Sequence, residues 1–452
     1  MQKLKTNFVD GQPFLAEHMN KTNSTVNELI DRVDGMDVNT IYIRQANLEE
    51  ENRVSGDIRG NVIRAIRAMS HAYLGKYDAT THRMKLCQLS DQDFNLYATG
   101  QSSTLTGEQG DVFMKLPEFW WKCERHGMTP NDFAVSFSLV PREGWNHWDG
   151  KFLFGVYEAY STARKPDDTE FVDTSVDDYN GTTYDNRTAT LHSRSGIVSS
   201  GGICQAALRK EARNRGRGYC TVRWEQHTVM AMLFYAWYGH MNAQEQCGYG
   251  SNNYRKTTGK TDALGMRDTN SENGNGTATS STSNDGVSIK FWGLENWWGN
   301  KYEWIDNIYS NNGEVRIYGE ADITDPHAEV YRAIPYDDLR MGNDTTDIAY
   351  LGENFDLLPD KSGTMDDSEY GYTDYMYVDE TEQDEDYYDE NFEPYHLGFV
   401  GCRSDGGADS CGGVAYVDVD NDSVGRYAGY GSRLAFKGDF DIIESVEEFE
   451  DL

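Results

Sequence analysis

Residues 397–436 gather the side chains best suited to holding another molecule. Arg403, Ser404, Asp405, Asp409 and Ser410 precede a short run at 413–420, and Asn421, Ser423, Arg426, Tyr427 and Tyr430 follow it. Within the run, Ala415, Val417 and Val419 alternate with Tyr416, Asp418 and Asp420. That is the period of a strand with one small apolar face and one polar face, the second expected to point to solvent. Tyr supplies rigid amphipathic area and Asp, Asn, Ser and Arg supply adaptable hydrogen bonds, the mixture found in antibody paratopes. The chemistry is noncovalent recognition, with Arg403, Asp405, Asp409, Ser410, Tyr416, Asp418, Asp420, Asn421, Arg426 and Tyr427 as candidate ligand-binding residues. An ordinary polar strand and loop is the alternative reading of the same residues.

Metal and covalent chemistry have weaker support. Asp418, Asp420 and Asp422 at alternate positions invite calcium, but a chain already turning at Asp422 would take that carboxylate out of line. The expectation is therefore no resident metal or cofactor, with calcium the one candidate. The patterns Gly-x-Ser-x-Gly, Gly-x-x-x-x-Gly-Lys and His-Glu-x-x-His are absent. His227 and His240 fall in a helical stretch and read as satisfied core or surface histidines. Cys402 and Cys411 are close enough in sequence to form a disulfide bracing the loop between them, or to be buried thiols.

Composition narrows the function further. The formal net charge of −34 over 452 residues argues against nucleic acid and against an anionic membrane surface as partners. The one basic run, from Arg209 and Lys210 through Arg213 and Arg215 to Arg217, reads as a solvated or acid-paired face. Seven cysteines without a Cys-x-x-Cys pair disfavour both a disulfide framework and a structural zinc site. Residues 1–8 lack the apolar core of an export signal and no stretch is long enough for a membrane helix, so synthesis in a cytoplasm is expected.

The element expected to position all of this is the aromatic stretch 291–307, which holds Trp292, Trp297, Trp298, Trp304 and Tyr302. Each large ring buries roughly 150–250 Å² and each indole N–H needs a partner, so the stretch should fix the centre of a core, with Gly293 and Gly299 as turns. Its sequence Gly-Leu-Glu-Asn-Trp-Trp-Gly-Asn (293–300) followed by Glu-Trp-Ile-Asp-Asn (303–307) resembles the GxENWWGNxxEWxD element of the C-type-lectin-like fold. That fold is shared by formylglycine-generating enzymes and by the variable proteins of diversity-generating retroelements. Gly-Ser-Arg-Leu-Ala-Phe (431–436) is similar to the closing strand of the family. Asp-Val-Phe-Met-Lys-Leu-Pro-Glu-Phe-Trp-Trp-Lys (111–122) and Gly-Val-Tyr-Glu-Ala-Tyr (155–160) resemble two earlier strands. The likeness runs from about residue 60 to 438.

The resemblance implies an α+β, C-type-lectin-like domain whose C-terminal part is a fixed scaffold carrying exchangeable surface residues. It implies equally an alternative, copper-dependent formylglycine generation, for which Cys402 and Cys411 are the only candidate ligands, in a loop that departs from the enzyme motif. Residues 7–20, with Phe8, Asp10, Gly11, Phe14, Met19 and Asn20, resemble the start of many phage fibre and tail-appendage proteins, which joins them to the particle.

Along the chain, Met19, Val26, Ile30 and Val33 recur at helical spacing and predict a short multimerising stalk, with a trimer favoured, or else an ordinary surface helix. Residues 58–74, with Ile63, Ile66 and Met69, predict an amphipathic helix, and 86–122 and 133–160 predict strands. Residues 165–194 and 257–285 read as polar surface loops. Residues 222–240 predict a long helix with Val222, Met230, Leu233, Phe234 and Trp237 as its core stripe, ended at 248–250. Residues 366–393 hold thirteen Asp or Glu and no Lys or Arg, and read as a solvated insertion or one ordered by a divalent cation.

The divisions expected are an attachment segment and helix at 1–35 and a strand and helix region at 36–125. A lectin-like domain follows at 126–438, with the acidic insertion at 364–394 and the variable segment at 397–436, and then an acidic tail at 439–452. The function expected is that of a non-enzymatic phage appendage in the virion, assembled in the host bacterial cytoplasm. It would be a homo-oligomer that joins other virion proteins through its N-terminus and binds a bacterial surface receptor, glycan or protein. A structural decoration protein and a bacterial surface adhesin are the alternatives.

Overall fold

The computed structural model describes residues 37–44, 53–126, 132–162, 188–251, 256–269, 287–311, 314–318, 330–335, 347–351, 359–364, 376–378, 399–404, 413–421 and 429–452. Helices and strands are mixed in an α+β arrangement. The expected stalk, Phe8, Asp10, Gly11, Phe14, Met19 and Asn20 within it, and most of the acidic insertion lie outside these residues. Among the described residues no helix is long and apolar enough to cross a membrane.

The largest sheet runs Tyr219–Thr221, Leu434–Lys437, Phe152–Gly155, Asp111–Lys115, His71–Asp78, Arg83–Ser90, Phe440–Ile442, with Asp93–Tyr97 paired to Arg83–Ser90. It joins strands from both ends of the chain and crosses the division expected at residue 125. The five-stranded sheet Val54–Gly56, Val38–Arg44, Asp132–Ser138, Phe119–Arg125, Asn146–Trp148 crosses that division too. Residues 36–125 and 126–438 are therefore interwoven.

The third sheet carries the segment singled out above. Its central strand, Tyr302–Asn311, pairs antiparallel with Glu314–Tyr318 on one side and Phe399–Arg403 on the other, and parallel with Tyr430–Gly431. Phe399–Arg403 pairs in turn with Val417–Asn421, which pairs with Met376–Val378.

Helix α1, Asn61–Ala68, is shorter than its pattern predicted: Val62, Ile63 and Ile66 are buried, and the chain then enters the strand His71–Asp78. That strand has a ladder on both sides, so two rows of sheet hydrogen bonds override the helical period at Leu74. Helix α2 is Gln205–Arg213 and α3 is Trp224–Tyr238. α3 is buried on nearly every face, so its predicted stripe is only part of what it buries. It ends at Gly239, not at 248–250: Gly239 adopts the left-handed conformation and its N–H bonds the Tyr235 carbonyl. A short helix α4, Ala243–Cys247, follows.

Two loops predicted at the surface are built into the body. Thr258, Thr261, Asp262, Asp268 and Thr269 are buried in the first half of 257–285. Residues 191–193 at the end of 165–194 are buried as well. Likewise 439–452 is no free tail: Phe440–Ile442 is a sheet strand, and helix α5, Val446–Glu450, buries Val446 and Phe449.

Trp292, Trp297, Trp298 and Trp304 are all buried. Three of the indole N–H groups find acceptors: Trp292 donates to Ser70 Oγ (3.0 Å), Trp298 to the Gly248 carbonyl (2.8 Å) and Trp304 to the Ile203 carbonyl (3.0 Å). Gly299 is required by more than its turn. A Cβ there would meet the Gly250 Cα at 2.8 Å, so two backbone segments touch where only hydrogens fit.

Candidate binding face

The segment 397–436 is anchored from below by buried charge. Glu303, on the central strand, sits between two arginines. Arg403 Nη2 donates to Glu303 Oε2 and Arg433 Nη2 to Glu303 Oε1, each at 2.6 Å, with every partner at most 1% exposed. Arg433 also donates to the carbonyls of Gly155, Val156, Glu295 and Asn296 at 2.8–3.1 Å. One side chain thus ties the strand Phe152–Gly155, the Trp stretch and the central strand together. The Arg403 guanidinium lies 3.4 Å over the Trp297 ring and donates to the Trp297 carbonyl. Burial pulls the Arg403 pKa down to about 10 against the support of Glu303, and the group remains cationic at neutral pH.

Two further groups complete this layer. Glu158 accepts from Ser199 Oγ (3.0 Å) and from Asn300, and its carboxyl is pushed up by burial and by the nearby Glu303. His227, on α3, is fully buried. Burial, reinforced by Arg403, drives its pKa down to about 3 while the Ala415 main chain pulls the other way, so the ring is neutral at ordinary pH.

Above this layer an aromatic row crosses the sheet. Trp304 lies 4.9 Å from Tyr430, Tyr430 stacks on Tyr302 at 4.7 Å, and Tyr302 lies 6.0 Å from Tyr416. Tyr302 and Tyr430 are half-buried, whereas Tyr416 is 6% exposed. On the neighbouring strand Val417 and Val419 are buried, and Asp418 and Asn421 are half-buried. Asn421 Nδ2 donates to Cys402 Sγ at 3.6 Å.

The candidate residues are therefore not brought together as a single surface. Arg403 was expected at the surface and is instead a buried strut; its register opposite Glu303 on the central strand places it inward. Tyr416 precedes the strand Val417–Asn421, and its ring turns into the core against Tyr302. Asp418 and Asn421 lie half-buried on the strand Val417–Asn421. Asp420 belongs to the strand, and its side chain lies outside the described residues, as do Asp405, Asp409, Ser410, Arg426 and Tyr427. Tyr302 joins the face although it reads as one more core aromatic. The signal was its spacing: Tyr302 and Trp304 share one side of the strand and Glu303 takes the other.

Two arginines of the basic run, Arg209 and Arg215, are paired with acid. Arg209 Nη2 meets Asp306 Oδ1 at 2.6 Å, and Arg215 pairs with Asp111, which His192 also contacts at 3.2 Å. Burial raises the Asp111 pKa, but Arg215, His192 and Arg194 together outweigh it and hold the group at about 2. Cys402 is buried as a free thiol, and Cys411 lies outside the described residues. Among the described residues no group of His, Cys, Asp and Glu is arranged to hold a metal ion. No family model matches the chain, and a comparison with curated proteins finds no match.

Proposed function

We propose that this chain is a phage virion appendage whose C-type-lectin-like domain binds a bacterial surface receptor, glycan or protein, through the face formed by Tyr302, Tyr430, Asp418 and Asn421. The observation that carries the reading is the layering of this region. Half-buried Tyr302 and Tyr430 and the strand polar groups Asp418 and Asn421 belong to the sheet whose central strand is held by the buried Glu303–Arg403–Arg433 cluster. A surface built this way can exchange its outer residues without disturbing what holds it, and Tyr with Asp and Asn is a versatile contact set. Single sites of this kind are weak, and several copies on one particle would make them useful. In this reading residues 1–35 attach the chain to other virion proteins and favour a trimer, and the protein resides in the virion.

The test is a deletion of residues 1–35. The truncated chain should still adhere to bacterial cells yet be missing from purified particles. Incorporation without those residues, or lost adhesion by a truncated chain with an unchanged melting temperature, contradicts the reading.

A further inference from the structure

A cleft of about 370 Å³ lies away from the face just described, between α1, the C-terminal end of α3 and the loop around Met266–Asp268. Its volume is at the lower end of small-molecule sites, which run roughly 300–1,000 Å³. Three guanidinium groups line it, from Arg59, Arg67 and Arg267, in a chain whose formal charge is −34.

Each arginine is held by contacts that leave donors over. Arg59 caps α3: its N–H bonds the Ala236 carbonyl at 2.9 Å and its Nε the Trp237 carbonyl at 2.8 Å. It does so with φ at 51°, a left-handed conformation costly for a residue with a β-carbon. Arg267 donates only to main-chain carbonyls, of Leu264 and Ala263 in its own loop and of Gln92. Neither Arg59 nor Arg267 has a carboxylate partner among the described residues. Arg67, its side chain 14% exposed, pairs through Nη2 with Asp268 at 2.7 Å, and its Nη1 is buried without a hydrogen-bond partner among the described residues. Arg59 and Arg67 both lie against the Trp237 ring, at 5.2 and 5.5 Å, which fixes where the guanidiniums sit.

The acids beside them do not neutralise the cleft. The Asp268 carboxylate is shared among Arg67, the Tyr238 hydroxyl (2.9 Å) and the Trp292 N–H (2.7 Å). Asp91 lies 3.0 Å from His71. What remains unmet is a set of planar donors, which suit a carboxylate or phosphate.

We infer that this cleft binds a small oxyanion ligand, a carboxylate or phosphate borne on a compact polar body. The inference is independent of the receptor reading above. Isothermal titration of the full chain with glucuronate, glucose 6-phosphate and glucose tests it, using one sugar body with and without the anion. At least one anionic sugar should give saturable heat and glucose none. Saturation by glucuronate alone would identify a carboxylate site, and by glucose 6-phosphate alone a phosphate site. Arg59→Gln with Arg267→Gln should weaken that binding about tenfold or more, since each change removes charge-assisted donors to the anion. Should the double variant fail to fold, Arg267→Gln alone carries the test, because it touches only loop carbonyls. Silence with both anions, equal binding of glucose, or wild-type affinity in the folded variant overturns the inference.

Discussion

Glu303 is the residue on which the C-terminal region turns. Removing one partner from a buried ion pair costs roughly 3–5 kcal/mol, because the other charge is left uncompensated. Arg433→Ala also strands four backbone carbonyls, so urea unfolding should show a loss at least that large. Each arginine leaves the other to neutralise Glu303, so Arg403→Ala should cost less, because Arg403 serves one backbone carbonyl where Arg433 serves four. Equal losses would mean that the carbonyl contacts do not set the difference. His227 gives a pH signature. Its folded pKa of about 3 lies below the ordinary 6.5, so between those values the unfolded chain binds more protons and stability falls as pH falls. Glu158 has the opposite sign: a folded carboxyl raised above its ordinary value loses stability as pH rises. The difference between wild type and His227→Leu isolates the histidine. That difference should move against the wild type below pH 6.5 by at most about 1.4 kcal/mol per unit, and a flat difference would contradict burial of a neutral ring. At this scale the Trp core was legible, because large rings spaced so closely have few other uses. Arg403 was not, since composition cannot tell a paratope arginine from a strut when its partner lies 100 residues away.

The elements show where local pattern gave way to long-range pairing. Residues 439–452 read as a solvated acidic tail because acid dominates them, yet Phe440–Ile442 pairs with Met84–Leu86 and Phe449 is fully buried. Lys76 Nζ donates to the carbonyls of Phe449 and Glu450, which fastens α5 to the main sheet. Phe449→Ala should therefore destabilise by roughly 3–5 kcal/mol, the range for emptying a buried phenylalanine site. An unchanged denaturation midpoint would restore the tail reading. The strand Val417–Asn421 kept its predicted alternation at Val417, Asp418 and Val419. Tyr416 did not follow it, because it precedes the strand and packs beside Tyr302.

At the scale of the whole molecule, the largest sheet carries residues from both halves of the chain and another presents the candidate face. The α+β class that the resemblance implied agrees with the mixed helices and strands. The interweaving was not legible, since the pairing of Leu434–Lys437 with Phe152–Gly155 leaves no local trace. The proposed face should be separable from its frame and should hold the chain to cells. The direct measurement is adhesion of the purified full chain to a panel of bacterial isolates, wild type against Tyr430→Ala with Asp418→Ala and Asn421→Ala, alongside melting temperatures. Adhesion to some isolates is expected, lost in the triple variant while the melting temperature falls by only a few degrees. Undiminished adhesion by the folded triple variant would contradict it.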